Sequence, residues 1–123
     1  MPSKSIQRAL LAIAENIALA HSFVSGLTLE TFRTDQRSIY AVTRCLEIIS
    51  EATRRLPDEM IVRHPTVPWP KIKAAGNVYR HEYDALSAGV IWATVEDALD
   101  DLGAAVAVEI EIMGRSENGG ASS

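Results

Sequence analysis

The sequence has few of the residues that stabilise secreted or membrane proteins. Cys45 is the single cysteine in 123 residues, so no disulfide can form within the chain. No apolar run approaches the roughly 20 residues that a membrane-spanning helix needs. The N-terminal segment does not have a signal-peptide pattern, because polar residues interrupt its apolar stretch. We therefore expect a protein that does not enter membranes, and we predict a cytoplasmic location.

Basic charge is also scarce, with 12 Lys and Arg against 16 Asp and Glu and a net charge of −4. This balance excludes the broad basic face that sequence-independent nucleic-acid binding needs, and it confines any RNA contact to a local groove. The sequence contains no glycine-rich phosphate loop and no His, Cys or carboxylate cluster with metal-ligand spacing. We predict neither a metal nor a cofactor.

What the sequence does contain is helical periodicity. Apolar residues recur at steps of three and four in four segments, whose stripes begin at Ile6, Leu29, Ile72 and Trp92. No segment alternates with the period of two that marks a strand. The sequence therefore predicts an all-α fold, an antiparallel bundle of four main helices, in one domain over residues 1–113. The Gly- and Ser-rich residues 114–123 are predicted to be a disordered tail.

Capping and helix-breaking residues define the expected limits of the helices. Thr28 is the predicted N-cap of a second helix that continues through Leu56, and Ser87 is the predicted N-cap of a fourth helix that Gly114 ends. Between the second and third helices, residues 58–63 are expected to form one short connector helix. The stretch His64-Pro65-Thr66-Val67-Pro68-Trp69-Pro70 cannot be regular helix, and Pro70 fits the first position of the third helix.

The candidate chemistry lies on the third helix. Asn77 and His81 are four residues apart and share a face, with Arg80 and Tyr83 close by. Histidine can remove a 2'-hydroxyl proton near neutral pH, arginine can hold a phosphate, and asparagine can orient either group. The alternatives are structural: a histidine on an interface, a salt bridge from Arg80 to Asp84, and Tyr83 as a core aromatic.

Four motifs in this order resemble the HepT-like branch of the HEPN family. They cover residues 5–112 and are Glu47-Ile48-Ile49-Ser50-Glu51-Ala52, the His64–Trp69 connector, Gly76-Asn77 through His81-Glu82-Tyr83, and Ile91-Trp92. The resemblance implies a HEPN-like bundle that forms a two-fold homodimer and acts as a metal-independent RNase toxin. It also implies a minimal nucleotidyltransferase antitoxin, of the MntA type, as partner. In some members that partner attaches AMP to the tyrosine that corresponds to Tyr83.

The sequence departs from the family pattern, which reads Arg-x4-His-x-Tyr. Asn77, His81 and Tyr83 match it, but Gly76 occupies the arginine position and Ser50 stands where the family often has glycine. Two main hypotheses follow. Either the chain is a ribonuclease in which Arg80 replaces the missing arginine, or it is a binding module, modified by the nucleotidyltransferase, that has lost catalysis. A nucleotide-binding regulator is a third alternative.

Overall fold

The computed structural model describes residues 3–78 and 85–122, and the regular elements in these ranges are all helices. This confirms the all-α prediction. The helices are α1 (Ser3–Val24), α2 (Leu29–Thr34), α3 (Gln36–Thr53), α4 (Asp58–Val62), α5 (Trp69–Val78), α6 (Ala85–Asp97) and α7 (Leu99–Ser122).

Two long helices, α1 and α3, form the centre of the fold. Helix α1 packs against α3 and α7, and α3 also packs against α5, while α6 contacts α2, α5 and α7. The side chains with the least exposure come from the predicted stripes, among them Ile13, Leu46, Ile49, Leu99 and Leu102. Each such side chain stabilises the fold by about 1.5–3 kcal/mol through its removal from water. The periodicity therefore identified the core faces correctly.

The second predicted helix is in fact two helices, which corrects the expectation of one helix from Thr28 through Leu56. Thr28 caps α2 as predicted, but α2 ends at Thr34. Asp35 then caps α3, accepting a hydrogen bond from the backbone N–H of Ser38 at 3.2 Å and one from its hydroxyl at 2.8 Å. An aspartate with serine three residues later is an N-cap pattern, and it lies in the gap between Phe32 and Ile39 of the predicted stripe.

The fourth predicted helix is also divided. Helix α6 begins at Ala85, so Ser87 lies inside the helix and is not its N-cap. Ala98 interrupts the helix before α7 begins at Leu99. Gly114 does not end α7, which continues to Ser122, so the predicted stop was wrong. The division into a domain over residues 1–113 and a tail over 114–123 stays a prediction.

The proline-rich connector is non-helical from His64 to Pro68, as predicted, and the short helix α4 precedes it. Helix α5 begins one residue earlier than expected, at Trp69, so Pro70 is its second residue. The indole N–H of Trp69 donates to the carbonyl oxygen of His64 at 3.0 Å, and the Trp69 side chain is buried. This contact fixes the start of α5, the helix that leads towards the candidate motif.

Candidate active site

The two departures from the family pattern, Gly76 and Ser50, contact each other. Gly76 is buried where α5 crosses α3. A Cβ atom at this position would lie 2.8 Å from the Cβ and 2.9 Å from the Oγ of Ser50, and 3.7 Å from the Cα of Glu47. Real Cβ atoms do not approach other heavy atoms within 3.0 Å. At this separation of the helices, only glycine fits at position 76 opposite Ser50.

Ser50 is itself fixed in place. Its hydroxyl donates a hydrogen bond of 2.7 Å to the backbone carbonyl of Lys73, one turn before Gly76 on α5. This hydrogen bond links α3 to α5, and both Ser50 and Gly76 are buried at the contact. An arginine at position 76 would have to displace Ser50 or push the helices apart. The sequence comparison with the family pattern named both positions but could not show that they are neighbours.

Arg44 is an exposed cation on α3 that lies about one turn before Glu47. Arg44 Nη1 and Glu47 Oε1 form a salt bridge three residues apart on the helix. The Arg44 side chain is 64% exposed and that of Glu47 is 24% exposed, so solvent reaches the arginine more freely than the glutamate. A similar exposed pair, Glu51 with Arg55 at 3.9 Å, lies towards the other end of α3.

A second charged cluster is buried between the connector and α7. Glu109 on α7 is only 2% exposed. Its two carboxylate oxygens accept hydrogen bonds from Arg63, at 2.8 Å from Nη2 and 3.2 Å from Nε. The Nε2 atom of His64 lies 2.6 Å from Oε2 of the same carboxylate. One buried carboxylate therefore binds two successive residues of the segment that leads into α5.

This cluster shifts the ionisation of its members. The hydrogen bonds from Arg63 hold the pKa of Glu109 below its ordinary value of 4.5, although burial alone would raise it. The same hydrogen bonds raise the pKa of Arg63. The sequence analysis did not identify Glu109, yet a signal was present: Glu109 occupies a core position in the stripe of Leu102, Val106 and Met113. A carboxylate on such a stripe needs a buried partner.

Two smaller polar groups lie on the buried side of α3. Thr43 is 2% exposed, and its hydroxyl has no hydrogen-bond partner within the described part of the chain. It lies one turn from Glu47 and shares the side of α3 that continues to Ser50. Cys45 is a free, buried thiol, and burial raises its pKa above the ordinary 9.0. Cys45 is therefore a small residue of the core.

The predicted site residues themselves are placed only in part. Asn77 is the second-last residue of α5, but its side chain lies outside the described residues, as do Arg80, His81 and Tyr83 entirely. The catalytic assignments therefore stay predictions. Helix α5 ends and α6 begins on either side of the segment that carries them.

The comparisons with known proteins decide the family. The model of the family described as Ribonuclease HepT-like matches residues 13–108, which is most of the chain. The chain belongs to this HepT-like ribonuclease family. It is 30% identical to "Putative RNase MJ0127" of Methanocaldococcus jannaschii over 96% of this chain and 98% of that protein. It is 33% identical to "Probable ribonuclease HepT" of Thermococcus cleftensis over 73% of this chain and 82% of that protein.

The HepT-like match spans both unusual positions and the whole candidate segment, because residues 50, 76 and 77–83 all lie within 13–108. No solved structure matches the chain. None of the described helices is long and apolar enough to cross a membrane. Within the same described ranges, no group of three or more His, Cys, Asp or Glu residues could hold a metal ion.

Proposed function

We propose that this HepT-like protein is a metal-independent endoribonuclease. The observation that carries the proposal is the family match over residues 13–108. Asn77, His81 and Tyr83 lie within that range, and the family resemblance implies that they are the motif residues. His81 is the general base, Arg80 binds the scissile phosphate, and Asn77 positions one of these groups. The relative named "Putative RNase MJ0127" matches over 98% of its own length, which supports the same activity here.

The chemistry needs no group beyond these side chains and the RNA. His81 removes the 2'-hydroxyl proton, and the 2'-oxygen forms a bond to phosphorus. The bond from phosphorus to the 5'-oxygen breaks, and that oxygen takes a proton from protonated His81 or from water. The products are a 2',3'-cyclic phosphate and a 5'-hydroxyl. Arginine stabilises the negative charge that the phosphate carries in the transition state.

The test is RNA cleavage by the purified protein in EDTA, with His81→Ala measured in parallel. We expect cleavage to persist in the chelator and to fall by about 10²–10⁴-fold in the variant, which is the usual contribution of a general base. His21→Ala is the matched control, because His21 is a half-exposed histidine on α1 that contacts Asp100 at 3.3 Å. Equal cleavage by wild type and His81→Ala would refute the assignment.

The cellular role that we propose is that of a cytoplasmic toxin in a toxin–antitoxin pair. Its antitoxin would be a minimal nucleotidyltransferase, and transfer of AMP to Tyr83 would neutralise the toxin. Support comes from the family resemblance of the motif that contains Tyr83. Incubation with such an enzyme and ATP should raise the mass of the chain by one AMP unit, and Tyr83→Phe should prevent this increase. An unmodified wild-type chain would contradict the proposal.

We also propose that the active form is a homodimer. Helices α1 and α7 expose large apolar side chains, namely Leu11, Leu19, Phe23, Val108 and Ile112. An apolar groove of about 360 Å³ between these two helices adds to this surface. Sedimentation equilibrium should give twice the chain mass of 13.4 kDa. Leu11→Glu should lower the dimer fraction, because it would bury a charge in the interface. A monomer at all concentrations would contradict the proposal.

A specific observation also favours the second candidate function, a binding partner without catalysis. Gly76 provides no side chain for phosphate, and Ser50 prevents a larger residue there. If catalysis has been lost in this way, Gly76→Arg alone should not restore it, because the new side chain would meet Ser50. Ser50→Gly combined with Gly76→Arg should restore it. Activity of the double variant, together with an inactive wild type, would favour the binding module over the ribonuclease.

A further inference from the structure

The contact between α3 and α5 defines the direction in which the two helices run. Ser50 contacts both Lys73 and Gly76, whereas Glu47 contacts Gly76. Lower-numbered residues of α3 therefore lie opposite higher-numbered residues of α5, and the helices are antiparallel. Residues of α3 that precede Glu47 lie towards the end of α5 at Val78, after which the rest of the motif follows in the sequence.

Arg44 is the cation of α3 that precedes Glu47 most closely, on the side of the contact where α5 ends, and Arg37 lies about two turns further away. Arg44 lies three residues, or about 4.5 Å of helix rise, before Glu47. Arg54 and Arg55 follow Ser50 and lie towards the start of α5, and Lys73 is one turn from Gly76 in that same direction. Arg44 is also largely exposed, so a ligand can reach its guanidinium.

The salt bridge between Arg44 and Glu47 would allow Arg44 to exchange the carboxylate for another anion. Glu47 orients the guanidinium through an exposed salt bridge, and such surface pairs hold only weakly. Like a carboxylate, an RNA phosphate presents two negatively charged oxygens that can accept a pair of hydrogen bonds from a guanidinium. An incoming phosphate can therefore replace Glu47 while the guanidinium keeps nearly the same position.

We propose that Arg44 is a phosphate-binding residue of the RNA site and provides, from α3, the cation that Gly76 cannot provide from α5. This inference rests on the ribonuclease function proposed above. It assigns to Arg44 a contact with the RNA backbone beside the motif, in addition to the role of Arg80. It also explains how a chain with a net charge of −4 can bind RNA locally.

The experiment measures cleavage and binding separately on the full-length protein. Binding uses an RNA whose 2'-hydroxyls are methylated, so that it cannot be cleaved, and follows fluorescence anisotropy against salt concentration. The variants are Arg44→Ala, Arg44→Lys and the matched control Arg55→Ala, which removes another exposed, paired arginine of the same helix. Thermal unfolding of each variant checks that the fold is intact.

We expect Arg44→Ala to weaken binding by about tenfold or more, the usual effect of losing a hydrogen bond to a charged group. The slope of log K against log salt should fall by about 0.7, as for the loss of one contact with single-stranded RNA. Cleavage should fall with it. Arg44→Lys should recover part of the binding because it keeps the charge, and Arg55→Ala should match wild type.

The outcomes separate this proposal from the ribonuclease proposal. Wild-type cleavage with an equally active and equally tight Arg44→Ala variant would overturn the role of Arg44 and leave the ribonuclease function standing. An equal loss in Arg55→Ala would also overturn it, because the effect would then be general charge. Binding that depends on Arg44, without any cleavage by wild type, would support the phosphate site and refute the ribonuclease. A wild type that neither binds nor cleaves RNA would refute both.

Discussion

The contact between Ser50 and Gly76 allows a sharp prediction about stability. Gly76→Ala adds a single Cβ atom, which would lie 2.8 Å from the Cβ and 2.9 Å from the Oγ of Ser50. Neither atom can rotate out of the way without cost, because the Cβ is fixed by the backbone and the Oγ is bonded to the carbonyl of Lys73. The helices must therefore separate locally to accept alanine.

The two opposing effects can be compared. Alanine is favoured over glycine within a helix by about 1 kcal/mol. Overpacking in a buried site costs about 1–3 kcal/mol. We therefore expect Gly76→Ala to lower the free energy of unfolding by up to about 2 kcal/mol. In a Ser50→Gly background the nearest remaining atom is the Cα of Glu47 at 3.7 Å, which is an ordinary contact, so the same change should become stabilising there.

The assay is urea unfolding of the two single variants and the double variant, analysed as a double-mutant cycle. The coupling energy should favour the double variant by about 1–3 kcal/mol. Gly103→Ala on α7 is the matched control, because its Cβ would lie 3.8 Å from Ile17 and should raise stability. A Gly76→Ala variant more stable than wild type, or additive single changes, would refute the reasoning.

Three further predictions concern buried polar groups. Glu109→Gln should lower the free energy of unfolding by about 2 kcal/mol, since half-exposed Arg63 keeps water when it loses the carboxylate. Because the folded pKa of Glu109 lies below 4.5, the stability advantage of wild type over Glu109→Gln should be complete above about pH 4.5 and vanish as pH falls through that lowered pKa. Urea unfolding of both proteins against pH would show this, and a stability difference that does not change with pH would contradict it. Thr43→Val should raise stability by about 1 kcal/mol, measured by urea unfolding, because a buried hydroxyl without a described partner is removed; a loss would show that the hydroxyl is bonded. Cys45 should react slowly with a thiol reagent at pH 8 in the native state and rapidly in urea, because it is buried and its pKa is raised; equal rates would contradict its burial.

The sequence identified the core faces because apolar periodicity depends only on helix geometry. It did not locate the two helix breaks, for different physical reasons. At Asp35 the break follows from a local N-cap, in which the Asp35 side chain accepts a hydrogen bond from the backbone N–H of Ser38. The sequence analysis missed this cap because Leu29, Phe32 and Ile39 fit the apolar face of a single helix. At Ala98 no residue marks the break, and the backbone bonds Ala98 to Thr94 and Leu102 to Ala98 persist across it. An interruption of this kind does not change the spacing of the apolar residues, so the periodicity cannot reveal it.

The candidate site was open to sequence analysis only where residues are close in the chain. The motif of Asn77, His81 and Tyr83 is local, so pattern and family resemblance sufficed to name it. The contact of Ser50 with Gly76 joins residues 26 positions apart in sequence, and the pairing of Glu109 with His64 joins residues 45 apart. Contacts of this kind depend on how helices pack, and a single sequence does not contain that information.

RNA cleavage in EDTA by the wild-type protein and by His81→Ala, with the cleaved ends identified by mass spectrometry, tests the central claim most directly. The account predicts that wild type cleaves in the chelator and leaves 2',3'-cyclic phosphate ends, and that His81→Ala does so at a small fraction of the rate. Cleavage that is independent of His81, or a wild type that binds RNA without cutting it, would contradict the ribonuclease assignment.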